Sequence, residues 1–248
     1  MIITTNGKLA IPYGSATPRA AALSAISDGY CDDLDLPGAP VAIIDCGEGR
    51  PLRMSCLVHP FTLPPVAQDL AHADTQVAFL KAHISGLCGM WNKPQSMFVA
   101  KYFLDVRSVV DELAPDLRVR MGDLAGLVEM GHWCFAAHMI MPRAHIVLGQ
   151  QREEDYVTAD FALWSGNRLT ACFVSTDHTL IGVRKRAVEA LSAAGAHVCH
   201  MPASEFLNPD WSILDAIGVE AANFLDRVEL AESPFHGRGL EAPNRVAG

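Results

Sequence analysis

Between Thr158 and Phe206 the chain reads TADFALWSGNRLTACFVSTDHTLIGVRKRAVEALSAAGAHVCHMPASEF. This stretch predicts strand, tight turn, strand, helix, strand. Asp160–Trp164 and Leu169–Ser175 are apolar runs of strand length. They are joined by Ser165-Gly166-Asn167-Arg168, whose small and polar side chains suit a turn. Gly182–Ala194 sets Val183, Ala187, Ala190, Leu191 and Ala194 along one side and its charges on the other, the pattern of an amphipathic helix. Gly195 stands where a helix C-cap glycine belongs. Ala196–Met201 reads as a last short strand closed by Pro202.

The rest of the chain is less regular. The first sixty-odd residues are rich in Gly and Pro with short extended runs. Ile2–Thr5 and Lys8–Pro12 flank Asn6-Gly7, which predicts a hairpin. Val41–Cys46 and Leu52–His59 predict another, and Ala16–Ser27 reads as helical behind Thr17-Pro18. Val66–Gly86 carries apolar residues at three- and four-residue spacing and predicts a helix. Ser96–Phe103 reads as a strand. Val106–Leu113 reads as a short helix stopped by Pro115, and Met121–Met141 as a longer one stopped by Pro142. His145–Leu148 opens the strand-rich part. A short helix is expected around Trp211–Ile217, another through Phe224, and then an acidic end that frays. The fold class is α/β (or α+β). The chain divides into an N-terminal region of hairpins then helices (1–110), an α/β domain with a mixed sheet flanked by helices (111–208), and C-terminal helices with a tail (209–248).

Composition limits what such a chain does. With 248 residues, 50% of them hydrophobic and 19% charged, it can bury a sizeable core. No apolar run reaches membrane-spanning length and no secretion signal opens the chain, so a cytoplasmic protein is expected. Its seven cysteines are odd in number and contain no CxxC, which predicts reduced thiols rather than a disulfide frame or a zinc knuckle. The net charge of −9 argues against a stand-alone, high-affinity DNA binder, although Arg184-Lys185-Arg186 is a local basic cluster able to meet a phosphate backbone. Among the histidines, His132, His138 and His145 are separated by Pro142 from any shared helix. His197 and Cys199 project to one side of a strand, with His178 as a conceivable third ligand; packed or surface roles are the simpler reading. No GxSxG, phosphate loop or dinucleotide fingerprint occurs, and the four tryptophans are scattered.

The 158–206 stretch resembles the PD-(D/E)XK nuclease superfamily, especially bacterial proteins similar to very-short-patch-repair endonucleases. The likeness rests on ADFAL before a Gly-containing turn, a second strand ending at Asp177-His178-Thr179, and RKRAVEALSAAGAHVCHMPASEF. It implies a restriction-endonuclease-like sheet and Mg²⁺-dependent phosphodiester cleavage in DNA processing. Hydrolysis of that kind needs oxygen ligands on the cation, which polarises phosphate and activates water. The resemblance assigns the first carboxylate to Asp160. Where the family has a second acid and a lysine on the next strand, this chain has Phe173 and Ser175. Asp177 at the strand end, or Glu189 on the following helix, would replace the acid, and Lys185 the lysine. Each has a bland counterpart: Asp160 capping a turn, Asp177 as a turn residue, Lys185 and Glu189 as an exposed pair four apart on a helix. The departure keeps a second expectation open, a catalytically inactive scaffold or partner-binding protein that retains the sheet.

Overall fold

In the computed structural model the described residues are 8–14, 41–47, 49, 51–54, 72–89, 93–126, 129–148, 156–176 and 183–219. Strands β1 (Lys8–Pro12) and β2 (Val41–Asp45) pair antiparallel. Helices α1 (Ala73–Leu87) and α2 (Lys93–Met121) follow. Two 3₁₀ segments, Gly122–Gly126 and Met130–Ala136, lead into β3 (Met141–Val147), β4 (Tyr156–Trp164) and β5 (Leu169–Ser175). Then come α3 (Val183–Ala193), β6 (His197–Pro202), a 3₁₀ turn at Ala203–Leu207 and the short helix α4 (Ile213–Ala216). The main sheet has the order β3-β4-β5-β6. Its first two pairings are antiparallel and β5–β6 is parallel, joined through α3. The molecule is thus of α/β class with a mixed sheet. No helix among the described residues is long and apolar enough to cross a membrane.

The strand chemistry follows the sheet. Every residue from Leu169 to Val174 in β5 is buried, as expected for a strand covered on both faces. The turn between β4 and β5 is tight: Ser165 N–H bonds the Arg168 carbonyl at 3.1 Å, and Gly166 takes φ 99°, which a side chain would resist. The helix and the two strands read from 169 to 202 stand within a residue or two of their expected bounds.

Upstream, the structure corrects several expectations. Ser96–Phe103 is not a strand, and the helix expected at Val106–Leu113 does not stop at Pro115; both lie inside the single 29-residue α2. Phe98, Val99, Tyr102, Val106, Val110, Ala114, Leu117 and Met121 are buried along it at helical spacing. Pro115 removes the N–H that would reach the Asp111 carbonyl, yet the apolar stripe on either side continues the helix past it. Met121–Met141 is not one helix but the two 3₁₀ segments. Gly131 explains part of this, because a Cβ there would lie 2.7 Å from Asp74 Oδ1 and 3.0 Å from Ala73 Cβ at the start of α1. The hairpin expected from Val41–Cys46 and Leu52–His59 is also replaced: β2 pairs with β1, while Leu52 and Met54 bond the 137–139 segment and Trp164. The turn at Asn6-Gly7, the helix at Ala16–Ser27 and the segment beyond residue 219 lie outside the described residues.

One cluster of buried side chains extends from Leu9 in β1 to Val219. At its centre Phe98, wholly buried, stacks on Phe161 of β4 at 4.1 Å between ring centroids and meets Phe206 edge-on at 5.9 Å. The buried Lys101–Asp105 pair on α2, 2.9 Å apart, holds the start of α4, since Asp105 Oδ2 accepts the Ile213 N–H at 2.7 Å. Tyr102 Oη donates to the His138 carbonyl at 2.7 Å.

Two outcomes follow from these contacts. Truncation by Phe98→Ala should lower the free energy of unfolding by about 3–5 kcal/mol in urea titration, with the slope unchanged. Burial, reinforced by Arg53, holds the His138 imidazole down at about 4 against an ordinary 6.5. The unfolded chain therefore takes up this proton near 6.5 while the folded one refuses it until about 4. Stability present above that window should drain as pH falls through it, and His138→Asn should flatten that part of the curve.

Candidate functional site

Asp160 sits where the ladder of β4 ends toward β5 and skips one pair toward β3. On the β5 side, register pairing stops at Phe161 opposite Cys172. The next free donor, Val174 N–H, bonds the Asp160 carboxylate at Oδ2 instead, at 2.7 Å. On the β3 side, the pairs Pro142–Phe161 and Ala144–Ala159 leave Arg143 opposite Asp160. Arg143 takes φ 49°, in the left-handed region, a local distortion costing of order 1–3 kcal/mol. The Asp160 side chain thus replaces a missing backbone acceptor in the middle of the sheet.

Two further donors converge on it. Gln95, from the first turn of α2, donates Nε2 to Oδ1 at 2.9 Å. Arg184, from the first turn of α3, reaches Oδ1 with Nη2 at 3.2 Å and the Val174 carbonyl with Nη1. Gln95 is 2% exposed, and its Oε1 has no hydrogen-bond partner among the described residues. Burial pushes the Asp160 carboxyl above its ordinary range, and Arg184, Gln95 and the Val174 N–H pull it back only in part. Cys88, capping α1, feels both Asp160 and Arg143, but its thiol is driven up mainly by burial, to about 12, which keeps it protonated and inert.

The other expected site residues are placed as follows. Lys185 and Glu189 lie exposed on α3. Phe173 is 1% exposed, packed in the core in register with His200. Ser175 Oγ and His200 Nε2 hydrogen-bond at 2.7 Å. Asp177 and His178 lie outside the described residues. The histidine triplet does not assemble: His145 is buried against Thr158 Oγ1 at 2.9 Å, and His138 is buried beside Arg53. Among the described residues no three His, Cys, Asp or Glu side chains gather as metal ligands.

Mg²⁺ requires near-octahedral oxygen ligation at about 2.0–2.1 Å. The surroundings of Asp160 offer the inverse: hydrogen-bond donors on both oxygens, one of them a guanidinium. The described residues do not fit the cation. They instead form an anion clasp that ties α2, α3, β4 and β5 together at one carboxylate. Gln95 and Arg184 were not legible as its members, because contacts across 65 and 24 residues leave no local spacing to read.

Asp160→Ala should cost about 1–3 kcal/mol, since it leaves the Val174 and Gln95 donors without their acceptor. The raised carboxyl adds a pH signature. The folded state binds this proton more readily than the unfolded chain, so the wild type should gain stability relative to Asp160→Asn as pH falls from neutral into the carboxylate range. Parallel urea titrations of the two proteins across that range measure the difference. No family model, curated protein or solved structure matches the chain.

Proposed function

We propose that this chain is a nuclease-like protein of the cytoplasm that serves DNA processing by binding rather than by cutting. One observation carries the reading: both oxygens of Asp160, the carboxylate that the family resemblance assigns to Mg²⁺, are taken by Val174 N–H, Gln95 and Arg184. Arg184 supplies the positive charge a cation would otherwise bring. Phe173, which stands where the family has its second acid, is buried in the core, and this supports the same reading.

The binding side of the proposal uses the exposed groups around this clasp. Lys185 and Arg186 face solvent directly beside Arg184 on the first turn of α3, giving a small basic patch on an otherwise acidic chain. Such a patch meets a phosphate backbone without reading sequence. Affinity is then modest and steeply dependent on salt. A protein partner with an acidic surface would meet the same patch, and it would retain its affinity when DNA is absent.

The alternative reading, Mg²⁺-dependent cleavage by Asp160 with Asp177 or Glu189 as second acid and Lys185 orienting water, makes opposite forecasts. Purified full-length protein should give no saturable heat with Mg²⁺ and leave single- and double-stranded DNA uncut. Cleavage that requires Mg²⁺ and disappears in Asp160→Ala would establish the catalytic reading instead. Fluorescence anisotropy with labelled DNA should show binding whose log affinity falls linearly with log salt. Replacing Lys185 and Arg186 by Glu should flatten that slope by about one per lost phosphate contact. A slope unchanged by the double variant would remove this patch from the interface.

A further inference from the structure

Cys172 on β5 and Cys199 on β6 stand directly opposite each other in parallel register, on one face of the sheet. Cys199 Sγ donates to the Ala216 carbonyl of α4 at 3.3 Å. The pair thus leads from the sheet interior to α4. Cys172 is sealed at 0% exposure, whereas Cys199 keeps 8%. Cys199 also lies on an edge strand of the four-stranded sheet, held by a ladder on one side only. Neighbouring strands run about 4.8 Å apart. That separation falls inside the roughly 4.4–6.8 Å that a disulfide needs between Cα atoms.

We propose that Cys172 and Cys199 form an oxidation site, in which a hydroperoxide converts Cys199 to a sulfenic acid and Cys172 then closes an intramolecular disulfide. This goes beyond the binding function and does not depend on it. The order of events follows from the difference in exposure. Their mutual interaction raises the Cys172 thiol and lowers that of Cys199, with Arg168 assisting the second. Cys199, the more exposed of the two, is therefore the thiol that meets the oxidant, and Cys172, sealed behind it, is the resolving partner.

The chemistry balances. The Cys199 sulfur attacks the peroxide, an S–O bond forms, the O–O bond breaks, and the departing oxygen leaves as water (or an alcohol) after taking a proton. The Cys172 sulfur then attacks Cys199, the S–S bond forms, the S–O bond breaks, and a second water leaves with the Cys172 proton. Two electrons pass from the thiols to the peroxide. Once the disulfide exists, Cys199 has no proton to give the Ala216 carbonyl. The contact holding α4 to the sheet edge is lost, while Ile213 remains tied to Asp105.

The test uses full-length protein treated with hydrogen peroxide, blocked with an alkylating agent and digested with trypsin without reduction. The linked product joins peptides 169–184 and 187–227 and lacks the two thiol hydrogens. Its appearance in the wild type is the expected result. In Cys172→Ser the reaction should stall, so that a sulfenic-acid trap labels Cys199; in Cys199→Ser, Cys172 should stay unmodified. Hydrogen exchange at residues 216–219 should quicken about threefold on oxidation, the scale of one weak hydrogen bond. Absence of the linked peptide from the folded wild type, or linkage of Cys199 to another cysteine, overturns the proposal. Unchanged exchange in the oxidised protein overturns its effect on α4.

Discussion

A single carboxylate closes a gap in the backbone ladder of the main sheet. At Asp160 the backbone ladder lapses toward both β3 and β5, and the side chain takes over as acceptor for Val174 N–H. A break of this kind would leave polar backbone groups unpaired in a dry interior, at a cost comparable to a lost hydrogen bond for each. Asp160 avoids that cost, and in doing so it gathers the starts of α2 and α3 around one negative charge. The price is desolvation of the carboxylate, visible in its raised proton affinity. Arg184 and Gln95 offset part of it. This arrangement makes position 160 a joint of the architecture before it is anything else.

The second organising element is α2. It spans residues 110 and 111, so the region of hairpins and helices and the α/β region share one continuous stripe of core. Phe98 and Tyr102 on that stripe connect β4, the 137–139 segment and the turn at Phe206. Asp105 extends the same helix's reach to α4. Cys199 Sγ meets the Ala216 carbonyl at the last residue of α4, so this short helix is tied at both ends, with Ile213 and Leu214 buried in the core. A helix of four residues has almost no stability of its own, and its position depends on such contacts.

The stretch from 169 to 202 was legible because each signal in it is local. Alternative conformations of an apolar seven-residue run, a Gly-containing turn and an amphipathic helix ending at Gly195 are few, and short-range chemistry selects among them. The upstream failures share a different cause. Ser96–Phe103 carries aromatic and β-branched residues whose strand preference is outweighed by burial of one helical face against Phe161 and Phe206. The cost of Pro115 inside the helix is offset by burial beyond it, of Leu117 and Met121. Likewise Gly131 permits a close approach to α1 that no property of the glycine itself announces.

The amino-acid order alone therefore determined the class of the protein, the β4–β5–α3–β6 succession and the reduced state expected of its cysteines, since these depend on composition and on neighbours a few residues apart. It also brought Asp160 to notice. Only the tertiary structure decided what that carboxylate does, because its partners arrive from residues 95, 174 and 184 through packing of distant elements. Hydrogen-bond donors and a cation compete for the same two oxygens, and which of them wins is settled by what the fold delivers within about 3 Å.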